Sequence, residues 1–111
     1  SHGDQHLWLN TLSGEEQLRE VETSLEFLAD IGAAQQEWVM CYPFGGYNEA
    51  LLSLLRRKGC ALGLTVDVGV ADLAITDPLC LPRLDTNDLP SSLDVYSAHS
   101  APASDGHQLE A

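Results

Sequence analysis

Positive charge is what this chain most lacks. Among its 111 residues, five Lys and Arg stand against seventeen Asp and Glu, a formal net charge of -12. A surface so acidic repels phosphate backbones and anionic headgroups, which argues against nucleic acid and membrane surfaces as partners. Long apolar runs are also missing. None approaches the roughly 20 residues that a membrane-spanning helix needs, and no basic-then-apolar signal peptide opens the chain. Cysteine is sparse: Cys41, Cys60 and Cys80 form no CxxC pair, and their odd count fits neither a disulfide framework nor a zinc ribbon. Each lies in an apolar run and reads as a buried free thiol, which points to a cytoplasmic setting. Opening on Ser1 rather than Met, the chain reads as a processed product or a piece of something longer.

What is present is an ordinary globular balance, 44% hydrophobic and 20% charged, with room for one small core. Ser13 followed by Glu16 is a capping box, and Leu18, Val21, Leu25 and Leu28 recur at helical spacing, with Glu20, Glu22 and Glu26 mostly outside the stripe. The pattern predicts a helix over 13–31, closed by Gly32. Trp38 to Tyr42 reads as a buried strand stopped by Pro43 and Gly45-Gly46. Asn48 caps a second helix through Lys58, with Leu51, Leu52, Leu54 and Leu55 inward and Arg56-Arg57-Lys58 at the negative end of its dipole. Cys60 to Val66 and Leu79 to Leu84 read as further strands, with a loop from Asp67 to Pro78 between them. Strand, helix, strand implies parallel pairing, an α/β fold. After Pro90 the composition shifts: residues 91–111 hold no Lys or Arg and no sustained period, which predicts a disordered tail after a domain over 1–90.

Three stretches carry candidate chemistry. His2 and His6, four apart, can face one divalent cation, although a pair alone also suits two surface imidazoles. Cys41-Tyr-Pro-Phe-Gly-Gly-Tyr-Asn48 puts a tight turn at the carboxyl end of a strand, where α/β folds gather their active sites. Tyr42 and Tyr47 could offer hydroxyls or flat faces to a sugar there, or the turn could be purely structural. Arg83 follows a strand and is the one Arg outside the two helices. It could orient a carboxylate by a bidentate bond, or pair on the surface with Asp85 or Asp88.

Taken in order, the stretches resemble the polysaccharide deacetylase family, carbohydrate esterases with the chitooligosaccharide-deacetylase homology domain. S-H-G-D-Q-H-L-W-L-N-T-L-S is similar to the family's Ser/Thr-His-x-x-x-His segment with its Ser-capped helix, and C-Y-P-F-G-G-Y-N to its strand ending Pro-Tyr-Gly. A-L-G-L-T-V and the later L-P-R complete the resemblance over about residues 1–90. It implies a partial (β/α) barrel truncated on its N-terminal side, with His2 and His6 as ligands to a divalent metal ion, zinc first. It also implies catalytic roles for Arg83 and for Tyr42, near which a backbone N–H would hold the oxyanion. Pro43, Phe44, Gly45 and Tyr47 would contact an acetylated carbohydrate that loses an N- or O-acetyl group.

The departures from the family pattern bear on activity. The Asp-Asp motif, supplying the third ligand and the base, would lie upstream of Ser1. Cys41 stands where the commoner form has Arg, so Arg83 would take over that cation's work. His99 and His107 lack the setting of the family's Leu-x-Leu-His acid. The chain is therefore expected to be the carboxyl-terminal half of an enzyme and inactive by itself; a non-catalytic carbohydrate-binding or regulatory module on the same fold is the alternative, and a small acidic interaction protein a third reading. Imidazole nitrogens of His2 and His6 within about 4 Å are expected, with Arg83 meeting the Pro43-Phe44-Gly45 turn over the metal site. An exposed strand edge should drive self-association.

Overall fold

The capping box forms as the S-G-E-E string requires. Ser13 Oγ accepts the Glu16 N–H at 3.2 Å, and the Glu16 carboxylate accepts the Ser13 N–H at 3.1 Å. Helix α1, Gly14–Asp30, follows. It ends where Gly32 (φ 80°) donates to Ala29 O and Ala33 to Leu28 O, a Schellman closure. Strand β1 is Trp38–Cys41. After a turn, Asn48 accepts the Leu51 N–H at 2.9 Å and starts helix α2, Glu49–Arg57. Strands β2, Cys60–Val68, and β3, Leu81–Arg83, complete the fold. The computed structural model describes residues 1–89; the expected tail, with His99 and His107, lies outside the described residues.

The strands form a parallel sheet in the order β1-β2-β3, with Cys41 opposite Leu64, Leu64 opposite Leu81 and Val68 opposite Arg83. α/β organisation with parallel pairing is as the sequence implies. Neighbours in space are neighbours in sequence, without the strand-order reversal of a doubly wound sheet. One sheet face is covered: Trp38, Met40 and Tyr42 interlock with Val21 of α1 and with Leu51, Leu52, Leu54 and Leu55 of α2. The other face is apolar and uncovered among the described residues. It carries Val39, Leu62, Val66 and Val68, the last two 57% and 68% exposed.

Several sequence expectations change, and the last strand is only Leu81–Arg83 rather than Leu79 to Leu84. β2 runs on to Val68 rather than stopping at Val66, because Val66-Asp-Val68 continues the strand alternation past the end of β1. In α1 the inward face holds Gln17, Glu20, Val21 and Ser24, while Leu18 is exposed. The helix packs against a loop rich in backbone N–H groups as well as against the core, so carboxylate, amide and hydroxyl groups are wanted inside. The three cysteines are unpaired as expected, but only partly buried.

Candidate active site

Two segments meet at the carboxyl ends of the strands. The first is the opening loop. Ser1 lies on the outer edge of β1, its nitrogen donating to Val39 O at 2.6 Å and its carbonyl accepting the Cys41 N–H at 2.9 Å, a parallel bridge opposite Met40. Glu20, buried on α1, accepts the N–H groups of Asp4 and Gln5 at 3.2 and 3.0 Å and holds the loop down. The chain reverses at His6, whose φ of 56° is left-handed. Leu9 then enters the core, and Gln17 Nε2 on α1 donates to its carbonyl at 2.9 Å.

The second segment is the turn after β1. Pro43–Gly45 forms one 3-10 turn with Phe44 (φ 57°) and Gly45 (φ 72°) both left-handed. At Gly45 a Cβ would collide with the Val66 side chain, and at Gly46 with Trp8 and Asn10. Both glycines therefore let neighbouring side chains close onto the turn.

The junction is a row of four rings. His2 and His6 have centroids 4.8 Å apart; His6 and Phe44, 4.6 Å; Phe44 and Trp8, 4.6 Å and stacked at 27°. His2 Nδ1 lies 2.8 Å from Cys41 O. A carbonyl can only accept, so Nδ1 is the donor, and in the neutral ring Nε2 is the nitrogen with a lone pair for a ligand. Two left-handed non-glycine residues in contact, His6 and Phe44, mark stored backbone strain, which collects at functional sites. The donor pair suits two positions of a divalent ion such as zinc. Among the described residues no group of three His, Cys, Asp or Glu converges, so an ion held by this pair would need a further ligand.

The other predicted site residues fall differently. Tyr42 is 2% exposed, and its hydroxyl donates to Leu79 O at 2.6 Å. It offers no hydroxyl or face to a sugar, and burial pushes its pKa well above the tyrosine range. Tyr42 N–H already approaches Leu64 O at 3.4 Å, whereas the Phe44 N–H has no acceptor among the described residues. The turn's available backbone donor is therefore that of Phe44. Tyr47 packs its ring 4.9 Å from Tyr42, and burial raises its pKa too. Its contacts lie on the core side, away from the ring row.

Arg83 lines a cleft of about 330 Å³ with Val66, Val68, Leu84, Asp85 and Asp88. Val66 is shared, pressed by Gly45 on one side and lining this cleft on the other. Arg83 and the turn thus occupy the same edge with β2 between them. The surface pair with Asp85 or Asp88 is absent: the ion pairs among the described residues are Arg56–Asp77 and Lys58–Glu22. Asp88 instead accepts the Asp85 N–H at 2.8 Å, and Asp85 that of Thr86 at 2.6 Å. Sequence reasoning misses two features: the exposed ring of Trp8 and the Phe44 N–H. Of this apolar stretch Leu9 enters the core while Trp8 stays outside; the freedom of the Phe44 N–H follows from a left-handed φ that no glycine announces.

Residues 1–66 match the family described as polysaccharide deacetylase. The chain belongs to the polysaccharide deacetylase family. The matched span holds both histidines and the whole Tyr42–Tyr47 turn, while Arg83 lies beyond it. YxkH of Bacillus subtilis (strain 168), named as a putative polysaccharide deacetylase, is 37% identical over 71 residues, covering 64% of this chain and 25% of that protein. Among solved structures, the Streptococcus pyogenes deacetylase PplD in complex with acetate superposes with a TM-score of 0.70 at 28% identity, covering 76% of this chain and 36% of that one. The chain thus spans a quarter of the polysaccharide deacetylase relative and about a third of the solved deacetylase.

Proposed function

We propose that this chain supplies two metal ligands and the carbonyl-binding turn of a metal-dependent hydrolase that removes acetyl groups from a carbohydrate. One observation carries the reading. The imidazoles of His2 and His6 converge beside Phe44, with His2 oriented by the Cys41 carbonyl. A divalent ion, zinc first, would polarise the acetyl carbonyl and acidify a bound water. The chain's own residues bind and orient but supply no base carboxylate. His2 and His6 present nitrogen lone pairs, the Phe44 N–H faces the developing oxyanion, and Pro43 and Gly45 fix that donor's direction. Arg83 is proposed to hold the base carboxylate or the substrate from the neighbouring cleft. Acetate bound to PplD is the product such a reaction releases.

The sheet supports a barrel segment. Its order is sequential and parallel, Ser1 begins another parallel pairing on β1, and the uncovered apolar face is what a barrel interior would bury. The family's Asp-Asp pair has no counterpart among the 111 residues, so the chain by itself is proposed to lack turnover.

Zinc binding by equilibrium dialysis tests the ligand pair. His2→Ala and His6→Ala should each weaken it by about tenfold or more; unchanged binding in both would sink the assignment. Acetate release from acetylated chitooligosaccharides tests the chemistry. None is expected from the chain alone, and release is expected once a deacetylase segment bearing the Asp-Asp pair is fused ahead of Ser1. A fusion that binds sugar but releases no acetate would instead be the binding or regulatory module.

A further inference from the structure

Trp8 is unexplained by anything above. It is 53% exposed, as is Phe44, and the two rings stack face to face in solvent. A large apolar side chain is usually kept for burial, but Leu9 next door already anchors this segment in the core. The geometry nevertheless holds Trp8 in place. Gly46 has no Cβ where the indole edge and the Asn10 side chain press against the turn, and Phe44 keeps a left-handed backbone to present its ring. The Asn10 carboxamide makes no hydrogen bond among the described residues, although its backbone carbonyl accepts from Asn48 at 3.4 Å.

An exposed electron-rich face with a free amide at its rim matches one ligand chemistry. A pyranose has an apolar face of axial C–H groups and an equatorial girdle of hydroxyls. The first stacks on an indole, and the second bonds a carboxamide. We infer that Trp8, backed by Phe44 and rimmed by Asn10, is a subsite for a sugar ring adjacent to the acetylated one. Trp8 stands two ring steps from His6, so a pyranose on its face neighbours the sugar that places its acetyl group at the histidines. This deepens the deacetylase reading and rests on it only for the identity of the neighbouring ring. The subsite makes a chain of sugars, rather than a monosaccharide, the preferred ligand.

The test uses the full 111-residue chain without added metal. Chitopentaose and cellopentaose are titrated while the indole N–H resonances are followed by NMR. Trp38 is the internal control, because its indole N–H is committed to Lys58 O at 2.9 Å in the core. The Trp8 resonance should move saturably with at least one oligosaccharide while that of Trp38 stays still, and N-acetylglucosamine should bind about tenfold more weakly. Trp8→Ala should weaken oligosaccharide binding about tenfold, and Trp8→Phe should restore most of it. The wild-type titration stands even if the Ala variant folds poorly. An immobile Trp8 resonance with both oligosaccharides, or equal shifts at both tryptophans, would overturn the subsite. If zinc binding depends on the histidines while Trp8 stays immobile, the platform fails and the metal reading survives. If Trp8 responds in a chain whose histidines do not bind zinc, the platform survives and the metal reading fails.

Discussion

The Tyr42 hydroxyl reaches the Leu79 carbonyl only because Gly63 leaves room, since a Cβ there would strike both groups. Removing that donor strands a buried acceptor, so Tyr42→Phe should cost about 1–3 kcal/mol, read by urea denaturation. Little or no loss would mean that water replaces the bond. Burial raises the pKa values of Tyr42, Tyr47, Cys60 and Cys80. Folding therefore favours their protonated forms. Their contribution is fully present below the unfolded values, about 8.5 for Cys and 10 for Tyr, and is lost as pH rises through the folded ones. Glu16 works the other way: hydrogen bonds from Ser13 lower its pKa, so its contribution fades as pH falls through the folded value. The urea midpoint should accordingly drop above about pH 8.5. A flat alkaline limb would contradict the burial of these groups. In a fusion restored to activity, Arg83→Lys should reduce turnover by about tenfold or more, because a point charge cannot replace a bidentate fork. Unchanged turnover would make Arg83 a solvated charge. At this scale the sequence made residue types legible but not directions. The Pro43-Phe44-Gly45 turn could be read from composition, whereas the inward Tyr42 hydroxyl depends on a glycine twenty-one positions away.

Helix α2 is tied to the rest of the fold through its cap. Asn48 Oδ1 accepts the Leu51 N–H and also Gln17 Nε2 of α1 at 3.2 Å, so one side chain starts one helix and joins it to another. Asn48→Ala should cost about 1–2 kcal/mol in thermal or urea melts, at the upper end for a cap because Gln17 loses an acceptor as well. A cost below about 0.5 kcal/mol would mean that the cap bond is replaced locally. Local signals made the elements legible: the Ser13–Glu16 box, the Asn48 cap and the glycines at 32 and 59 lie where the chain enters or leaves each helix. The inner face of α1 was legible only in part: Val21 is buried and Leu25 packs against the core as their spacing implies, but Gln17, Glu20 and Ser24 share that face. Its leucines follow helical spacing, but the opening loop demands Glu20 and Ser24, and such a demand exists only once the chain has folded back.

At the scale of the molecule, one sheet face is built into the core and the other, among the described residues, is left open and lined by Val39, Leu62, Val66 and Val68. An apolar surface of that kind binds hydrophobic dyes and other copies of itself. The chain should bind anilinonaphthalene sulfonate while folded and associate as concentration rises, more so in salt that screens its -12 charge. Light scattering that finds a dye-silent monomer at every concentration would refute this. The two tryptophans also divide the molecule's light between them. Trp38, 6% exposed, should emit in the blue and resist collisional quenchers until the core opens, while Trp8 should emit toward the red and quench at once. Iodide should therefore extinguish only part of the native emission. The remaining fraction gives a dye-free record of core integrity, separate from events at the surface.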